Sequence, residues 1–205
     1  SYLKPYYEMV LSQQDDGVCM NYGMLKTSST HYSGVFYNNS VATMNIGTWF
    51  ISTLIKQIES GNTEVKNWGI VKYPHAEGVE PGSTLETIAS LGISKASKNK
   101  DAAWKFVEFA TGEEGAMVVA KTGIFPAMSN DAIRKIISST EGFPTDQNSV
   151  DALETANVYL EMPLHDKAGE IEVVLNQAHD EIMTESISID EGLKKMGEVD
   201  KILAK

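Results

Sequence analysis

At 205 residues, 42% of them apolar, the chain is long enough for one large or two small hydrophobic cores. Its 28 Asp and Glu against 17 Lys and Arg give a formal charge of −11, which excludes nucleic acid as a partner because phosphate backbones are bound by clustered Lys and Arg. No apolar run reaches the roughly 18 residues of a membrane span, the lone Cys19 permits no internal disulfide, and His31, His75, His165 and His179 lack metal-ligand spacing, so neither metal nor cofactor is expected. Ser1 to Pro5 show no charged region leading into an apolar stretch, so no signal peptide is read there.

In chain order, the first 34 residues carry no strong signal beyond their tyrosines, among them Tyr22 and Tyr32. Val35–Tyr37 and Val41–Ile46 read as strands on either side of Asn38-Asn39-Ser40, a run of turn formers. Gly47-Thr48-Trp49 follows directly. Trp68–Pro74 reads as a strand stopped by its proline, residues 75–84 with Pro81 and two glycines as a linker, and Ile88–Ser94 as another strand. Thr111-Gly112-Glu113-Glu114 has the spacing of a capping box, and its helix should end at Gly123, which accepts a left-handed cap. Pro126 marks a break, and Glu141–Asp146 a loop between helices. From Asp166 onward, Ile171, Val174, Leu175, Ala178 and Ile182 recur at spacings of three and four, one apolar stripe on a long helix. Ser188-Ile189-Asp190-Glu191 is a second capping box, opening a final helix through Leu193, Met196, Val199, Ile202 and Leu203. Helices with a few buried strands predict an α/β layer architecture.

Two segments carry a resemblance. Met44-Asn45-Ile46-Gly47-Thr48-Trp49 is an apolar run ending in Gly-x-Trp, and Leu91-Gly92-Ile93-Ser94-Lys95-Ala96-Ser97-Lys98-Asn99-Lys100-Asp101-Ala102-Ala103-Trp104-Lys105-Phe106 is a strand-like start leading into a helix. In order and spacing, residues 35 to 205 resemble the bacterial extracellular solute-binding proteins of carbohydrate ABC importers, the group that includes maltose-binding protein. The resemblance implies the C-terminal portion of a larger protein with the type II periplasmic-binding-protein-like fold. Residues 1–80 and 129–205 would belong to the C-terminal lobe and 84–128 to the N-terminal lobe, with chain crossings at Pro81-Gly82 and Gly123–Pro126. It also implies a small-molecule solute, a carbohydrate in that family, handed to ABC permease subunits, and an extracellular setting as a cell-surface lipoprotein or in the periplasm.

The resemblance places Trp49 on the ligand, where a flat ring stacks on the apolar C–H face of a sugar. Gly47 and Thr48 stand beside it, Ser90 and Leu91 fall where the N-lobe strand lines the cleft, and Met162 and His165 lie in the loop before the long C-terminal helix. The residues alone leave other readings open: Trp49 as a core side chain at a strand end, Gly47 as a turn glycine, His165 as an idle loop residue. Trp104 and Phe106 read as core side chains with no site role. Segment 84–128 is so apolar that, without a covering lobe, it should repack or self-associate. No Gly-x-Ser-x-Gly, P-loop or His-Glu-x-x-His string is present, so an enzyme is not expected. The alternative function is an acidic, helix-rich interaction module without a small-molecule ligand.

Overall fold

The computed structural model describes residues 2–86, 89–161 and 164–204. Its elements run α1 (Leu3–Asp15), α2 (Tyr22–Thr27), α3 (Tyr32–Tyr37), α4 (Trp49–Glu59), β1 (Ser83–Glu86), α5 (Lys100–Thr111), α6 (Glu113–Ala120), α7 (Asp131–Ser138), α8 (Gln147–Asp151), β2 (Asn157–Leu160), α9 (Ala168–Met183), α10 (Ile189–Met196) and α11 (Val199–Leu203). Two units result, one from residues 1–32 with 162–205 and the other from 33–161.

In the first unit, the 3.6-residue period of α9 holds for most of the predicted stripe, with Val174 half-buried and Leu175 left exposed. Ile171, Ala178 and Ile182 are buried, and Ile182 and Met183 meet Tyr7 of α1, with Val10, Leu11, Leu193 and Met196 packed around them. The Ser188 box forms: Ser188 Oγ accepts the Glu191 N–H at 3.3 Å while Glu191 Oε2 accepts the Ser188 N–H at 3.0 Å. Two backbone donors that the start of α10 would leave unpaired are satisfied this way. The predicted final helix is interrupted, because α10 stops at Met196 and α11 starts at Val199. Gly192 lets α10 approach α9 closely, since the Ile182 side chain fills the space that a Cβ on residue 192 would occupy.

The second unit centres on α4, which is apolar on two sides. Ile51 and Ile55 pack with Ala116 and Ala120 of α6, Ile133 and Ile137 of α7, Phe143 and Leu153. Phe50 and Leu54 pack on Val65. Asn130 Oδ1 accepts the Ile133 N–H at 2.9 Å and so starts α7. The fully buried Ser149 accepts the Ile70 N–H at 2.9 Å through its hydroxyl. Strands β1 and β2 pair in parallel, Ser83 with Asn157 through Glu86 with Leu160.

Several sequence expectations fail here for definable reasons. Val35–Tyr37 lies inside α3. Residues 41–46, 68–74 and 89–94 are extended or irregular without a paired strand, and Ile88 lies outside the described residues. Trp68 and Ile70 instead spend their apolar side chains on the core around Ile51. Thr111 makes no capping box, because it is the last residue of α5 and its Oγ1 donates to Val107 O at 2.8 Å. Gly112 is the cap of α6, without a side-chain bond. The helix expected to run to Gly123 ends earlier, at Ala120 with Lys121 as its C-cap, and Gly123 takes the left-handed conformation, φ +75°, in the turn that follows. Part of the linker read at 75–84 is β1, although both strands are mostly exposed.

Candidate functional site

Gly47, Thr48 and Trp49 form one local unit at the start of α4. Thr48 is the cap residue and makes no side-chain capping bond. The Phe50 N–H donates to Gly47 O and the Ile51 N–H to Thr48 O, each at 3.1 Å, so the turn is closed by backbone alone. Ser52 Oγ reaches Trp49 O at 3.5 Å. The indole folds back over residue 47: its six-membered ring occupies the space that a Cβ there would fill. Gly47 is therefore a requirement of the tryptophan's position, a role more specific than turn formation. Next along the helix, Phe50 and Ile51 are buried, yet Trp49 stays 57% exposed. Within this chain Trp49 is therefore not a core side chain. A rigid backbone element holds an open aromatic platform beside the exposed Thr48 hydroxyl, an arrangement that suits a ligand with an apolar face and hydroxyl edges.

The other sequence candidates are dispersed. Ser90 and Leu91 are exposed on the irregular segment before α5, and among the described residues no hydrogen bond or ring contact joins them to Trp49. Met162 lies outside the described residues. His165 belongs to the first unit and is exposed; its Nδ1 accepts the Lys167 N–H at 3.1 Å and its carbonyl the Ala168 N–H at 2.9 Å, so it helps open α9. No three His, Cys, Asp or Glu are grouped to hold a metal ion among the described residues. Trp104 and Phe106, expected in the core, are exposed, and α5 buries no residue.

The first unit contains a polar cluster that single-residue reasoning did not assemble. Tyr7 OH and His179 Nδ1 are 2.8 Å apart, Tyr22 OH donates to Asp180, and Lys26 pairs with Asp180 at 3.1 Å. The Tyr22 ring stands edge-on to His179. Burial holds the His179 imidazole below its ordinary pKa, whereas the Tyr22 hydroxyl bond, aided by Lys26, holds the Asp180 carboxyl below its own. Beside His179 a shallow groove of about 330 Å³ is lined by Leu3, Tyr7, Leu175, Asn176 and Met196. The available signal was the spacing of Tyr22 and Lys26, one helical turn apart, but their partner lies far along the chain. These tyrosines pack the unit together and leave no open aromatic surface of the kind Trp49 offers.

Comparison with known proteins adds three findings. The family model described as bacterial extracellular solute-binding protein matches residues 5–117, so the family likeness begins well before residue 35, where the sequence reading started it. A crystal structure of a sugar transporter from Rhizobium etli, in an open conformation, is 44% identical over 97% of this chain with a TM-score of 0.83. The alignment covers 50% of that protein, so the chain spans about half the length of this relative. No curated protein matches.

Proposed function

This chain belongs to the bacterial extracellular solute-binding proteins, and from that membership we propose that it captures a sugar or oligosaccharide for an ABC importer, with Trp49 as the stacking platform. Its fold is the helix-rich α/β arrangement of a periplasmic-binding-protein-like fragment. The observation that carries the ligand reading is the Gly47–Trp49 unit: a large ring stays exposed while it folds back over Gly47, where an added Cβ would displace it. A sugar presents C–H faces to such a ring and hydroxyls to neighbouring polar groups, for which Thr48 is the adjacent donor and Ser90 and Leu91 are further candidate contacts. The name of the Rhizobium etli protein supports the sugar class.

In this reading the work is reversible binding, with no bond made or broken, and the permease partner supplies the path while its ATPase supplies the energy. An extracellular or periplasmic setting is what the family description suggests, and attachment as a lipoprotein is part of this proposal. The lobe assignment of residues 1–80, 84–128 and 129–205 belongs to the same proposal. A chain with half the relative's length lacks whatever contacts the other half brings, so its own affinity is expected to be weak.

The test is calorimetric titration of the chain with a panel of mono- and oligosaccharides, repeated with Trp49→Ala and Gly47→Ala. A saturable signal with at least one sugar, lost in both variants while the circular dichroism spectrum is kept, supports the proposal. Sugar binding that survives both substitutions refutes Trp49 as the platform, and silence with every sugar at millimolar concentration refutes carbohydrate capture by this chain.

A further inference from the structure

Ser52 is the polar exception on the covered side of α4, buried beside Ile51, Leu54 and Ile55. Among the described residues its hydroxyl reaches only its own helix, donating to Trp49 O at 3.5 Å, and the Thr53 hydroxyl reaches the same oxygen at 3.4 Å. Such bonds add nothing between elements, so the property of Ser52 that matters for packing is its small size. The turn after α6 uses it. Gly123 is buried and left-handed, and a Cβ on it would lie 3.3 Å from Ser52 Cβ and 3.7 Å from Ser52 Cα, the first inside the about 3.5–4.0 Å at which carbon atoms rest. That turn is firmly held. The Gly123 N–H donates to Ala120 O at 2.9 Å and the Thr122 N–H to Val119 O at 3.0 Å, while Ala120 before it and Phe125 after it belong to the core around Ile51 and Ile55. The start of α4 is softer, since Thr48 makes no side-chain cap. Trp49 and Ser52, three residues apart, share a helix face at about 4.5 Å along the axis, so a push at Ser52 is passed to the tryptophan.

We propose that Gly123 and Ser52 are positioning residues for Trp49: the glycine turn bears on the small Ser52 side chain and sets the height and tilt of the ring that, on the reading given above, receives the sugar. Gly142 supplies a contrast within the same unit. It too is left-handed, at φ +85°, and a Cβ on it would lie 3.0 Å from Ile55 Cγ2. Alanine there brings the same kind of backbone strain and an even closer contact with α4. Ile55, however, is six residues from Trp49, about 9 Å along the axis and off its face. Gly142 also precedes Phe143, which meets the Trp68 ring edge-on, so its disturbance belongs to Trp68. Two glycine turns thus press on one helix, and only the one at Ser52 is aimed at the platform.

Fluorine NMR of the chain labelled with fluorotryptophan tests this, the Trp49 resonance being assigned from the spectrum of Trp49→Phe. Gly123→Ala should move that resonance. Ser52→Gly in the same chain should return it, because it removes the atom that the new methyl strikes, whereas Ser52→Ala, which keeps that atom, should not. Gly142→Ala should leave Trp49 in place and move Trp68. Circular dichroism confirms that each variant is folded; if Gly123→Ala does not fold, Ser52→Val presses the same contact from the helix side and is read in the same way. The saccharide with the strongest calorimetric signal on the wild type should bind Gly123→Ala about three- to tenfold more weakly, the worth of a stacked ring pair, and regain its affinity in the double variant with Ser52→Gly. A Trp49 resonance indifferent to Gly123→Ala, one moved as far by Gly142→Ala, or rescue by Ser52→Ala overturns the proposal. So does sugar affinity that is unchanged while the ring moves. Silence with every sugar overturns the capture reading instead, and the resonances alone then decide whether the Gly123 turn positions Trp49.

Discussion

Two glycine-to-alanine substitutions in neighbouring helices should move stability in opposite directions. Gly192 lies within α10, where alanine on helix propensity alone is worth about 0.8–1.0 kcal/mol over glycine. The structure reverses that sign, because the new Cβ would fall on Cγ1 and Cδ1 of Ile182 and within 3.4 Å of Ile187 Cδ1. Ile182 is 0% exposed and cannot swing away into solvent. Overpacking of a filled core costs about 1–3 kcal/mol. With an overlap this deep the upper figure applies, and the propensity gain leaves a net loss of about 2 kcal/mol. At about 2–4 °C per kcal/mol for a chain of this size, Tm should fall by about 4–8 °C. Gly169, in the first turn of α9, has nothing within 4 Å of an added Cβ. Gly169→Ala should gain about 0.5 kcal/mol, a rise of about 1–2 °C. Far-UV circular dichroism is the assay, since Trp49, Trp68 and Trp104 all lie in the other unit and their fluorescence does not sample this packing. A Gly192→Ala protein as stable as the wild type would refute the close approach of α10 to α9.

Ser149→Ala should cost about 1–3 kcal/mol in urea unfolding, because it strands the Ile70 N–H that the hydroxyl now accepts; an unchanged midpoint would mean that this bond is dispensable. Acid should weaken the first unit through His179. Its folded pKa lies below the unfolded value of about 6.5, so the unfolded chain takes a proton first, and stability held above that pH is lost as pH falls below it. Thermal melts of wild type and His179→Gln between about pH 7.5 and 5 should diverge in that window; parallel lines would contradict the assignment. Tyr22→Phe removes the leading cause of the depressed Asp180 carboxyl. An NMR titration should find Asp180 titrating at higher pH, with its stabilising effect starting to fade at a less acidic pH. No movement would assign the depression to Lys26 instead.

What the sequence made legible was local. The Ser188 box and the α9 stripe depend on residues within one or two helical turns; the box stands, and so does most of the stripe. The strands read at 35–37, 41–46 and 68–74 needed a partner strand to become real, and β propensity carries no information about one. Residues 83–86 and 157–160, with weaker signals, do pair because the chain brings them side by side. Trp49 was legible as a candidate from its Gly-x-Trp context, but its openness was not, since ring exposure depends on how Phe50 and Ile51 turn into the core. Trp104 and Phe106 show the converse: their pattern says packing surface, and nothing local says whether the covering element is present.

The pairing of α1 with α9 also has a consequence in time. Tyr7 and His179, 2.8 Å apart, are separated by 172 positions, and the whole of residues 33–161 lies between the two stretches that make the first unit. On a ribosome, where segments emerge N-terminus first and domains fold as units, α1 leaves the exit tunnel long before any partner exists. Residues 33–161 can close on themselves while Tyr7 still waits. Helix α1 is thus secured only once α9 has emerged, and a nascent chain stalled before residue 168 leaves the apolar side of α1 as a surface for chaperones or proteases.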